Sequence, residues 1–573
     1  MTADSRSYPT TRVPATPYRR PTPRSTDTLR LDGNEGDRPQ QGLLEELGGL
    51  EPSMLREYPD LSELQDLIAA RHGVDPACVV VTAGADDAID RLCRAYLEPG
   101  RELLVPVPTF EMIHRFAATA GGTVATIPWA ESFPTDELIG RIGDNTAIVA
   151  IVSPNNPTGL TVSAEDLTRV AAAADCAYVL LDHAYVDYAD EDLTDTALEL
   201  ENVVVARTFS KAWGLAGCRV GYLIASPDVA NVIRNAGNPY PVSALSIAVV
   251  LRRLRRGGRE LEQHTARIRE ERERFRAQLT DLGVQTSPSE GNFVFAELGD
   301  KAQFVYEALA TLDVLVRFFP HREEISTGLR ISLPGHEEDF AKLTDAVDLC
   351  LAPQALLFDM DGVLANVENS YRRSTLETVR SYGVQLERTE LETAVLAGDA
   401  NNDWILSQRL LSQNGIEVSF DEIYERYQSF YLGTDDSPGL RENETLLVDR
   451  AVLESLASRM PLGVVTGRPR EEAEWFLDRV GIAGLFETTV CLEDGPNKPD
   501  PTPVRLALER LGVKRAWMIG DTPDDIRAAT AAGTLPIGII APNADPETNA
   551  AALTDCGAAT IIDDVAALQE LIP

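Results

Sequence analysis

The stretch that decides the fold of the first half of the chain is Arg207-Thr208-Phe209-Ser210-Lys211-Ala212-Trp213-Gly214-Leu215-Ala216-Gly217-Cys218-Arg219. It follows the apolar run 203–206, which is typical of a buried strand. Hydroxyl side chains lie one and three residues before Lys211, and small residues separate it from Arg219, so the backbone can pass close to a ligand. A lysine at the end of a buried strand either extends to water or is held for chemistry. Because the chain of 573 residues has only five lysines, the pattern favours chemistry.

This segment resembles the cofactor-lysine region of fold-type I aminotransferases that use pyridoxal 5'-phosphate, and it is most similar to that of histidinol-phosphate aminotransferases. The resemblance implies that Lys211 carries the cofactor aldehyde and that Thr208, Ser210 and Arg219 hold its phosphate. These residue types suit that ligand, because a phosphate binds hydroxyls, a guanidinium and free backbone N–H groups.

From residue 78 onward, apolar runs alternate with amphipathic runs of helix length, which predicts a mainly parallel α/β sheet. We predict strands at 78–82, 102–107, 123–128, 147–152, 178–182 and 202–206. After the first strand, Gly84, Ala85 and Asp86 place free N–H groups at a helix start, which suits a phosphate, although Asp86 is equally well explained as the helix N-cap. Beyond residue 222 the pattern becomes mostly helical, and dense Arg/Glu pairs predict one solvated helix over 251–280.

Residues that follow the later strands complete the cofactor site that the resemblance implies. Phe110 would stack on the pyridine ring, and Asp182 would pair with the ring nitrogen. Asn156 and Tyr185 would share the phenolic oxygen. Taken alone, Asp182 is as well explained as a helix cap, and Asn156 lies in a turn that its Pro and Gly neighbours already require. His183 replaces the family's usual Glu, and the sequence offers no reason for the change.

Other segments resemble the substrate-binding and dimer-forming residues of the same family. The family places an arginine like Arg330 on the substrate carboxylate, and a tyrosine like Tyr58 reaches the cofactor phosphate of a neighbouring subunit, which implies a homodimer. Gly36 stands where the family has Asn. The remaining residues assigned to the substrate side are Tyr18, Asn34, Tyr240 and Arg317.

Composition is that of an ordinary soluble globular protein in all but charge. The chain is 44% hydrophobic and 25% charged, yet its formal net charge is −38, with five lysines among 52 Lys and Arg residues. Such an acidic surface repels nucleic acid and anionic membranes, which argues against both as partners. Many acids with few lysines favour a protein that stays soluble in a salt-rich, halophilic cytosol; a coding bias toward Arg is the alternative.

Length, cysteines and hydropathy limit the organisation and the compartment. A chain of 573 residues suggests about three to four folding units. Its seven cysteines are scattered without a CxxC or a metal-ligand spacing, which indicates a reducing compartment. We see no signal peptide and no run of about 18 apolar residues, so we expect a cytoplasmic protein without a membrane span.

A second set of motifs starts directly after Ala352-Pro353 with Ala355-Leu356-Leu357-Phe358-Asp359-Met360-Asp361-Gly362-Val363. Side chains two apart on a strand face the same way, so both aspartates reach one site. Carboxylates this close repel each other unless a cation lies between them. Three further segments follow in order: Val465-Thr466-Gly467-Arg468, Lys498-Pro499-Asp500 and Ile519-Gly520-Asp521-Thr522-Pro523-Asp524-Asp525.

These four segments resemble the motifs of haloacid dehalogenase-like hydrolases, in the Asp-x-Asp form of the phosphatases. The resemblance implies that Asp359 attacks phosphorus, while Asp361 protonates the leaving oxygen and then activates water. The transferred oxygens would be held by Thr466, Gly467 and Lys498. Mg²⁺ would be bound by Asp359, Asp521, the backbone carbonyl of Asp361 and, unless it acts at one remove or only caps a helix, Asp525.

The two resemblances imply an α/β fold in two parts. Residues 1–28 are rich in Pro, Thr, Ser and Arg and predict an N-terminal arm. Residues 29–352 would form a fold-type I aminotransferase, with a mixed, mostly parallel sheet in a large domain and a small α+β domain. Residues 353–573 would form a Rossmann-like haloacid dehalogenase-type core with a helical cap over about 366–450.

Together these expectations point to a bifunctional enzyme of histidine biosynthesis. The first unit would convert imidazole-acetol phosphate and glutamate into histidinol phosphate and 2-oxoglutarate, and the second would hydrolyse histidinol phosphate to histidinol. One alternative is a phosphatase for another small phosphate, such as a sugar phosphate or phosphoglycolate. Others are a catalytically idle second unit and a first unit that decarboxylates threonine phosphate.

We expect thermal stability to rise with KCl from about 0.1 M to beyond about 1 M, because the Debye length falls from about 10 Å to about 3 Å and the −38 charge is screened. Exposed ion pairs weaken over the same range, but each is typically worth under about 1 kcal/mol. Melting temperatures across the series test this expectation. A flat or falling curve would mean that the acidity serves solubility alone.

Overall fold

The computed structural model describes residues 27–36, 43, 51–398, 402–434, 437–542 and 544–572. The described residues divide into two compact units, one within 27–302 and 315–342 and the other within 303–314 and 343–572. Almost all of the predicted N-terminal arm, including Tyr18, lies outside the described residues. No helix in the described part of the chain is long and apolar enough to cross a membrane.

A seven-stranded sheet forms the centre of the first unit. Its strands are β1 (Val79–Thr82), β2 (Glu102–Val107), β3 (Thr123–Pro128), β4 (Thr146–Val152), β5 (Tyr178–Asp182), β6 (Val203–Thr208) and β7 (Gly221–Ile224). The order is β1-β7-β6-β5-β4-β2-β3, in which only β7 runs antiparallel to its neighbours. Every residue of β4 is buried, as a sheet covered on both faces requires. The six predicted strands are confirmed to within two residues.

The helices of this unit include one correction to the sequence analysis. They are α1 (Ser62–His72), α2 (Ala85–Tyr96), α3 (Met112–Ala120), α4 (Thr135–Arg141), α5 (Ala164–Ala173), α6 (Thr194–Leu198), α7 (Pro227–Asn235), α8 (Ala244–Arg256) and α9 (Gly258–Asp281). The prediction of a single helix over 251–280 is wrong, because the helix is interrupted at Gly257. A Cβ there would lie 2.7 Å from Arg253 O, and Gly257-Gly258 was a local signal for the break. Nor is α9 only solvated, since His264, Glu271 and Arg272 are buried.

A smaller antiparallel sheet follows α9. Its strands are β8 (Gln285–Thr286), β9 (Phe293–Glu297), β10 (Arg317–Phe318) and β11 (Gly328–Ser332), in the order β10-β11-β9-β8. Register places Arg317 on β10 directly opposite Arg330 on β11. The two arginines singled out in the sequence therefore lie on neighbouring strands.

The second unit contains a six-stranded parallel sheet. Its strands are β12 (Ala355–Phe358), β13 (Leu462–Val465), β14 (Thr488–Val490), β15 (Ala516–Gly520), β16 (Leu535–Ile539) and β17 (Thr560–Ile562). They are arranged in the order β14-β13-β12-β15-β16-β17. The motif residues Asp359, Thr466 and Asp521 each follow directly after one of the three central strands, at the edge where parallel strands present their carboxyl ends.

The helices complete the second unit. They are α10 (Ala302–Thr311), α11 (Glu337–Leu351), α12 (Tyr371–Ser381), α13 (Arg388–Leu396), α14 (Asp403–Gln413), α15 (Phe420–Tyr431), α16 (Arg450–Ala457), α17 (Arg470–Arg479), α18 (Thr502–Leu511), α19 (Pro523–Ala532), α20 (Pro546–Asp555) and α21 (Leu568–Leu571). The short strands Ala365–Asn366 and Thr445–Leu446 pair antiparallel where the chain enters and leaves the segment α12–α15. The predicted helical character of about 366–450 is confirmed for its described residues.

One hydrogen bond ties β15 to the C-terminus of α11. Trp517 is fully buried, and its indole N–H donates to Leu349 O at 2.8 Å. Four residues beyond Leu349 the chain has Pro353, which has no N–H to offer this carbonyl. The ring of Phe304, from α10, lies 5.1 Å from the Trp517 ring. The indole thus satisfies a helix-terminal carbonyl that the backbone leaves without a donor.

We expect Trp517→Phe to lower the free energy of unfolding of the second unit by about 1–3 kcal/mol, because a buried carbonyl loses its donor and the smaller ring leaves space. Trp475→Phe is the matched control, since Trp475 is only partly buried and its ring stacks with arginines at the surface. Thermal and urea unfolding of both full-length variants would test the expectation. Equal losses in the two variants would contradict it.

Candidate active sites

A cradle of hydroxyls and a guanidinium lies where β1 and β6 end. Thr208 Oγ1 donates to Ser210 Oγ at 2.9 Å. Arg219 donates to Ser210 Oγ at 3.4 Å and to Asp86 Oδ2 at 3.3 Å. Gly84, with φ of +85°, precedes α2, and a Cβ at this position would lie 2.8 Å from Arg219 Nη2. Hydroxyls, guanidinium and the N–H groups at the start of α2 together form a surface that suits a phosphate.

Lys211 follows this cradle and contacts the segment 33–36. Its Nζ donates to Gly33 O at 3.1 Å and lies 5.3 Å from the ring centroid of Tyr185. Gly36 now has an explanation, because a Cβ there would lie 1.7 Å from Lys211 O. The close packing of the Lys211 backbone against residue 36 therefore excludes the Asn that the resembling family has at this position.

Asp182 and His183 end β5 with different environments. Asp182 is 3% exposed, and burial raises its pKa to about 7, while the backbone N–H of Ala184 donates to Oδ1 at 3.1 Å. The buried His183 ring places Nδ1 2.5 Å from Ser153 O, which links the end of β5 to the segment after β4. His183 therefore has a structural explanation, whereas Asp182 is a buried acid that a nearby cation would stabilise in its charged form.

Four predicted polar side chains from distant segments form two hydrogen-bonded pairs. Asn34, with φ of +51°, donates from Nδ2 to Tyr185 OH at 3.1 Å and accepts from Ser332 Oγ. Arg330 donates to Asn156 Oδ1 at 2.7 Å and to Asp32 O at 2.6 Å. The structure therefore pairs Asn34 with Tyr185 and Asn156 with Arg330, which the spacing of their motifs alone could not show.

The other predicted residues of the first unit are described by packing and ring contacts. Phe110 is partly buried and packs against the hydrophobic core beside β2. The side chain of Tyr58 is 79% exposed, and its ring stacks on that of Tyr240 at 4.3 Å between centroids. Arg317 lies over the Phe319 ring at 5.4 Å. Tyr58 and Tyr240 form an exposed aromatic pair that a second surface could cover.

The second candidate site is a buried cluster of three acids and one lysine. Lys498 Nζ lies 2.6 Å from Asp359 Oδ1, contacts Asp525 and donates to Val465 O at 3.1 Å. Burial raises the pKa of Asp359 to about 7. Burial, together with the neighbouring carboxylates of Asp525 and Asp359, raises the pKa of Asp521 well above its usual range. One lysine therefore faces more carboxylates than it can neutralise.

Asp361 and Thr466 lie beside this cluster, and each contacts Arg468. Arg468 is 1% exposed, and its Nε and Nη2 both lie 2.6 Å from Asp361 Oδ1. Its Nη1 donates to Glu444 Oε2 at 2.9 Å. The backbone N–H of Arg468 donates to Thr466 Oγ1 at 3.2 Å, and Gly467 lines a small cavity with Asp361. Arg468 belongs to one of the four sequence motifs but had no predicted role, and Glu444 was not among the predicted site residues.

Comparison with known proteins assigns both units to families. Residues 31–347 match the family model "Aminotransferase class I and II", and residues 356–539 match "Haloacid dehalogenase-like hydrolase". A histidinol-phosphate aminotransferase of Geobacter sulfurreducens is 33% identical over 324 residues, which cover 55% of this chain and 91% of that protein. The chain belongs to the class I and II aminotransferase family.

Two further similarities are to a solved structure and to a second kind of enzyme. The structure of histidinol-phosphate aminotransferase from Sinorhizobium meliloti in complex with pyridoxal-5'-phosphate is similar with a TM-score of 0.52 and 25% identity, covering 56% of this chain and 89% of that one. An imidazoleglycerol-phosphate dehydratase of Phytophthora nicotianae is 43% identical over 197 residues, 33% of this chain. The chain covers only 44% of the length of that relative.

The residues of the aminotransferase unit fit a phosphorylated pyridoxal cofactor. The cradle at Gly84 has room that any Cβ would fill, and the amine of Lys211 contacts only one carbonyl in the hydrogen bonds of the described residues. Asp182 is a buried acid with a pKa raised to about 7, which a protonated ring nitrogen would lower again. These features supply a phosphate site, an amine and a counter-ion.

The acid cluster of the hydrolase unit fits a hard divalent cation. Oxygens of Asp359, Asp521 and Asp525 lie within 4.8 Å of one another, and within the described residues the buried Oδ1 of Asp521 has no hydrogen-bond partner. Gly362, with φ of +78°, leaves this space open, since a Cβ there would lie 2.1 Å from Asp521 Oδ2. Carboxylate oxygens without histidine or cysteine suit Mg²⁺.

We expect Asp521→Asn to raise the melting temperature in the presence of a chelator and to abolish most of the stabilisation by Mg²⁺. Removing one acid relieves repulsion among buried carboxylates, but it also removes a ligand, and a ligand at 100 times its Kd adds about 2.7 kcal/mol. Melting at constant KCl, with chelator or with millimolar Mg²⁺, measures both effects. Asp555→Asn, an exposed acid, is the charge-matched control. An unchanged Mg²⁺ shift in Asp521→Asn would show that the cluster does not bind the cation.

Proposed function

We propose that the protein is a bifunctional enzyme of histidine biosynthesis that uses pyridoxal 5'-phosphate and Mg²⁺. Its aminotransferase unit, proposed as residues 29–352, would convert imidazole-acetol phosphate and glutamate into histidinol phosphate and 2-oxoglutarate. Its hydrolase unit, proposed as 353–573, would release phosphate from histidinol phosphate. The observation that carries the proposal is that one chain holds two separate clusters of candidate catalytic side chains, around Lys211 and around Asp359. The names of the relatives support the pathway.

In the aminotransferase unit, we propose a role for each of these residues that its contacts support. The cofactor supplies an electron sink for the carbon that exchanges its amino group. Lys211 Nζ would bind the cofactor and then move the proton at that carbon. Arg219, Ser210 and Thr208 would hold the phosphate, and Asp182 would hold a proton on the ring nitrogen. Arg330, already donating to Asn156, would take the carboxylate of glutamate through its planar fork.

In the hydrolase unit, Asp359 and Asp361 would divide the chemistry. An oxygen of Asp359 attacks phosphorus, and the bond to the alcohol oxygen breaks while Asp361 gives that oxygen a proton. Water then attacks the phosphorus while Asp361 takes its proton, and the bond from phosphorus to the Asp359 oxygen breaks, which regenerates Asp359 and releases inorganic phosphate. Lys498, Thr466 and Gly467 would hold the transferred oxygens. Asp359, Asp521, Asp525 and the Asp361 carbonyl would hold Mg²⁺, which supplies charge neutralisation.

A cavity of about 420 Å³ beside Asp521 supports a substrate larger than phosphoglycolate. Its walls include Arg372, Leu376, Leu391 and Val395 of the helical segment. Cavities of about 300–1,000 Å³ accommodate molecules with rings, and one with apolar and charged walls suits an imidazole-bearing phosphate ester. The volume therefore leaves room for a phosphate ester that carries a ring, such as histidinol phosphate.

We further propose that the aminotransferase unit forms a homodimer. The exposed Tyr58–Tyr240 pair and the exposed Leu55 form an apolar surface beside α8. Such a surface is stabilised when a second copy covers it, and it would place Tyr58 near the cofactor phosphate of the neighbour, as the family resemblance implies. Light scattering that detects an active monomer at assay concentrations would refute this proposal.

We expect Lys211→Ala to lower the rate of histidinol phosphate formation by more than about 10³-fold while phosphate release from histidinol phosphate stays within about twofold. Asp359→Asn should have the opposite effects, because each unit carries its own catalytic residues. Both rates are measured on the full-length protein with Mg²⁺, and circular dichroism checks the fold. If either substitution abolished both reactions in a folded protein, the two sites would not be independent. Faster phosphate release from sugar phosphates than from histidinol phosphate would assign the second unit to another substrate.

A further inference from the structure

Within the described residues, the Asp361 side chain accepts a hydrogen bond from one side chain, that of Arg468. Arg468 Nε donates to Oδ1 at 2.6 Å, and Nη2 lies 2.6 Å from the same oxygen as an ion-pair contact without hydrogen-bond geometry. The second carboxylate oxygen, Oδ2, is therefore the one left to exchange a proton. A carboxylate fixed through one oxygen has its side-chain rotamer and the direction of its other oxygen defined, which is what a proton donor in a reaction needs.

The guanidinium itself is fixed from several directions. Nη1 donates to Glu444 Oε2 at 2.9 Å, and Glu444 in turn accepts from Tyr431 OH at 3.1 Å. The rings of Tyr371 and Phe476 lie 4.5 Å and 5.4 Å from the guanidinium carbon. With 1% exposure and its nitrogens directed to two acids, Arg468 is not placed to bind the substrate phosphate itself.

The location of Glu444 links Arg468 to the place where the helical segment α12–α15 begins and ends. Glu444 directly precedes the strand Thr445–Leu446, which pairs with Ala365–Asn366 where the chain passes into and out of α12–α15. Arg468 thus connects this strand pair, the catalytic loop after β13 and Asp361. A buried ion pair contributes little net stability, because the desolvation of both charges offsets their attraction. We therefore expect Arg468 to fix the orientation of Asp361 and to contribute little to the free energy of unfolding.

We propose that Arg468 is a positioning residue that fixes Oδ1 of Asp361, so that Oδ2 delivers the proton to the leaving alcohol. The inference rests on the proposed phosphatase function of this unit. During the first step the phosphorus–oxygen bond to the alcohol breaks, and the alcohol oxygen takes the proton from Oδ2. After loss of Arg468 the carboxylate still exists, but its orientation is no longer set.

Two substrates whose leaving groups differ in acidity distinguish a positioning role of Arg468 from a purely structural role. An alkyl alcohol needs the proton in order to leave, whereas p-nitrophenol leaves as a stable anion without it. The ratio kcat/KM includes only the steps up to departure of the alcohol, so the later attack by water does not mask the difference. Histidinol phosphate and p-nitrophenyl phosphate are therefore the two probes.

The key variant is the charge-balanced pair Arg468→Met with Glu444→Gln, which leaves no buried Glu444 carboxylate without its cation. We expect its kcat/KM to fall by about 10²-fold or more for histidinol phosphate and by less than about tenfold for p-nitrophenyl phosphate. Glu444→Gln alone keeps the contact with Asp361 and should change both probes by a similar factor. Asp361→Asn is the reference variant: it shows how much more kcat/KM falls for histidinol phosphate than for p-nitrophenyl phosphate when the proton donor is removed.

Each outcome is decisive. Equal losses for both probes in the double variant, or no loss, would overturn the role of Arg468. A wild-type protein that hydrolyses neither probe would refute the proposed histidinol phosphatase function instead. If wild type cleaves only the aryl ester, a series of substituted phenyl phosphates gives the same answer, since the double variant must then lose more activity as the phenol becomes a poorer leaving group.

Discussion

Parallel strands end at one edge of a sheet, and both sites depend on that constraint. In the first unit it brings Asp182 and Lys211, which follow neighbouring strands, to the same edge. In the second, Asp359, Thr466 and Asp521 follow the three central strands. Burying charged groups close together at this edge costs free energy, and pairing of opposite charges offsets that cost. Lys498 pairs with Asp359 and Asp525, and Arg468 pairs with Asp361 and Glu444.

Much of this arrangement was predictable because it is local. Apolar runs of four to seven residues located the strands, and the residues that end them carried the motifs. The predictions that fold-type I aminotransferase and haloacid dehalogenase-like hydrolase units follow one another are confirmed by the family matches. Roles of individual residues, such as Lys211 and Asp359, stay proposals, although the geometry brings their neighbours together as the motifs suggested.

What the sequence could not give is pairing across long distances along the chain. Asp361 and Arg468 are 107 residues apart, and a motif that ends in arginine does not reveal which acid it meets. His183 and Gly36 departed from the family pattern without a visible reason, and the reasons are contacts with Ser153 O and with Lys211 O. The charge pattern over 251–280 also masked a break at Gly257, because ion-pair spacing indicates a helix but not its continuity.

The indole of Trp517 has a consequence for how this chain can be divided. Its hydrogen-bond acceptor, Leu349, and its ring neighbour, Phe304, both precede the position where the hydrolase motifs begin. A gene segment cut at the start of the motifs would encode every catalytic side chain of the hydrolase and still omit part of its core. The domain boundary that the sequence motifs mark therefore differs from the boundary of the folded unit. A hydrolase fragment that begins at Pro353 would therefore leave the Trp517 indole without its acceptor on Leu349 and without the Phe304 ring beside it.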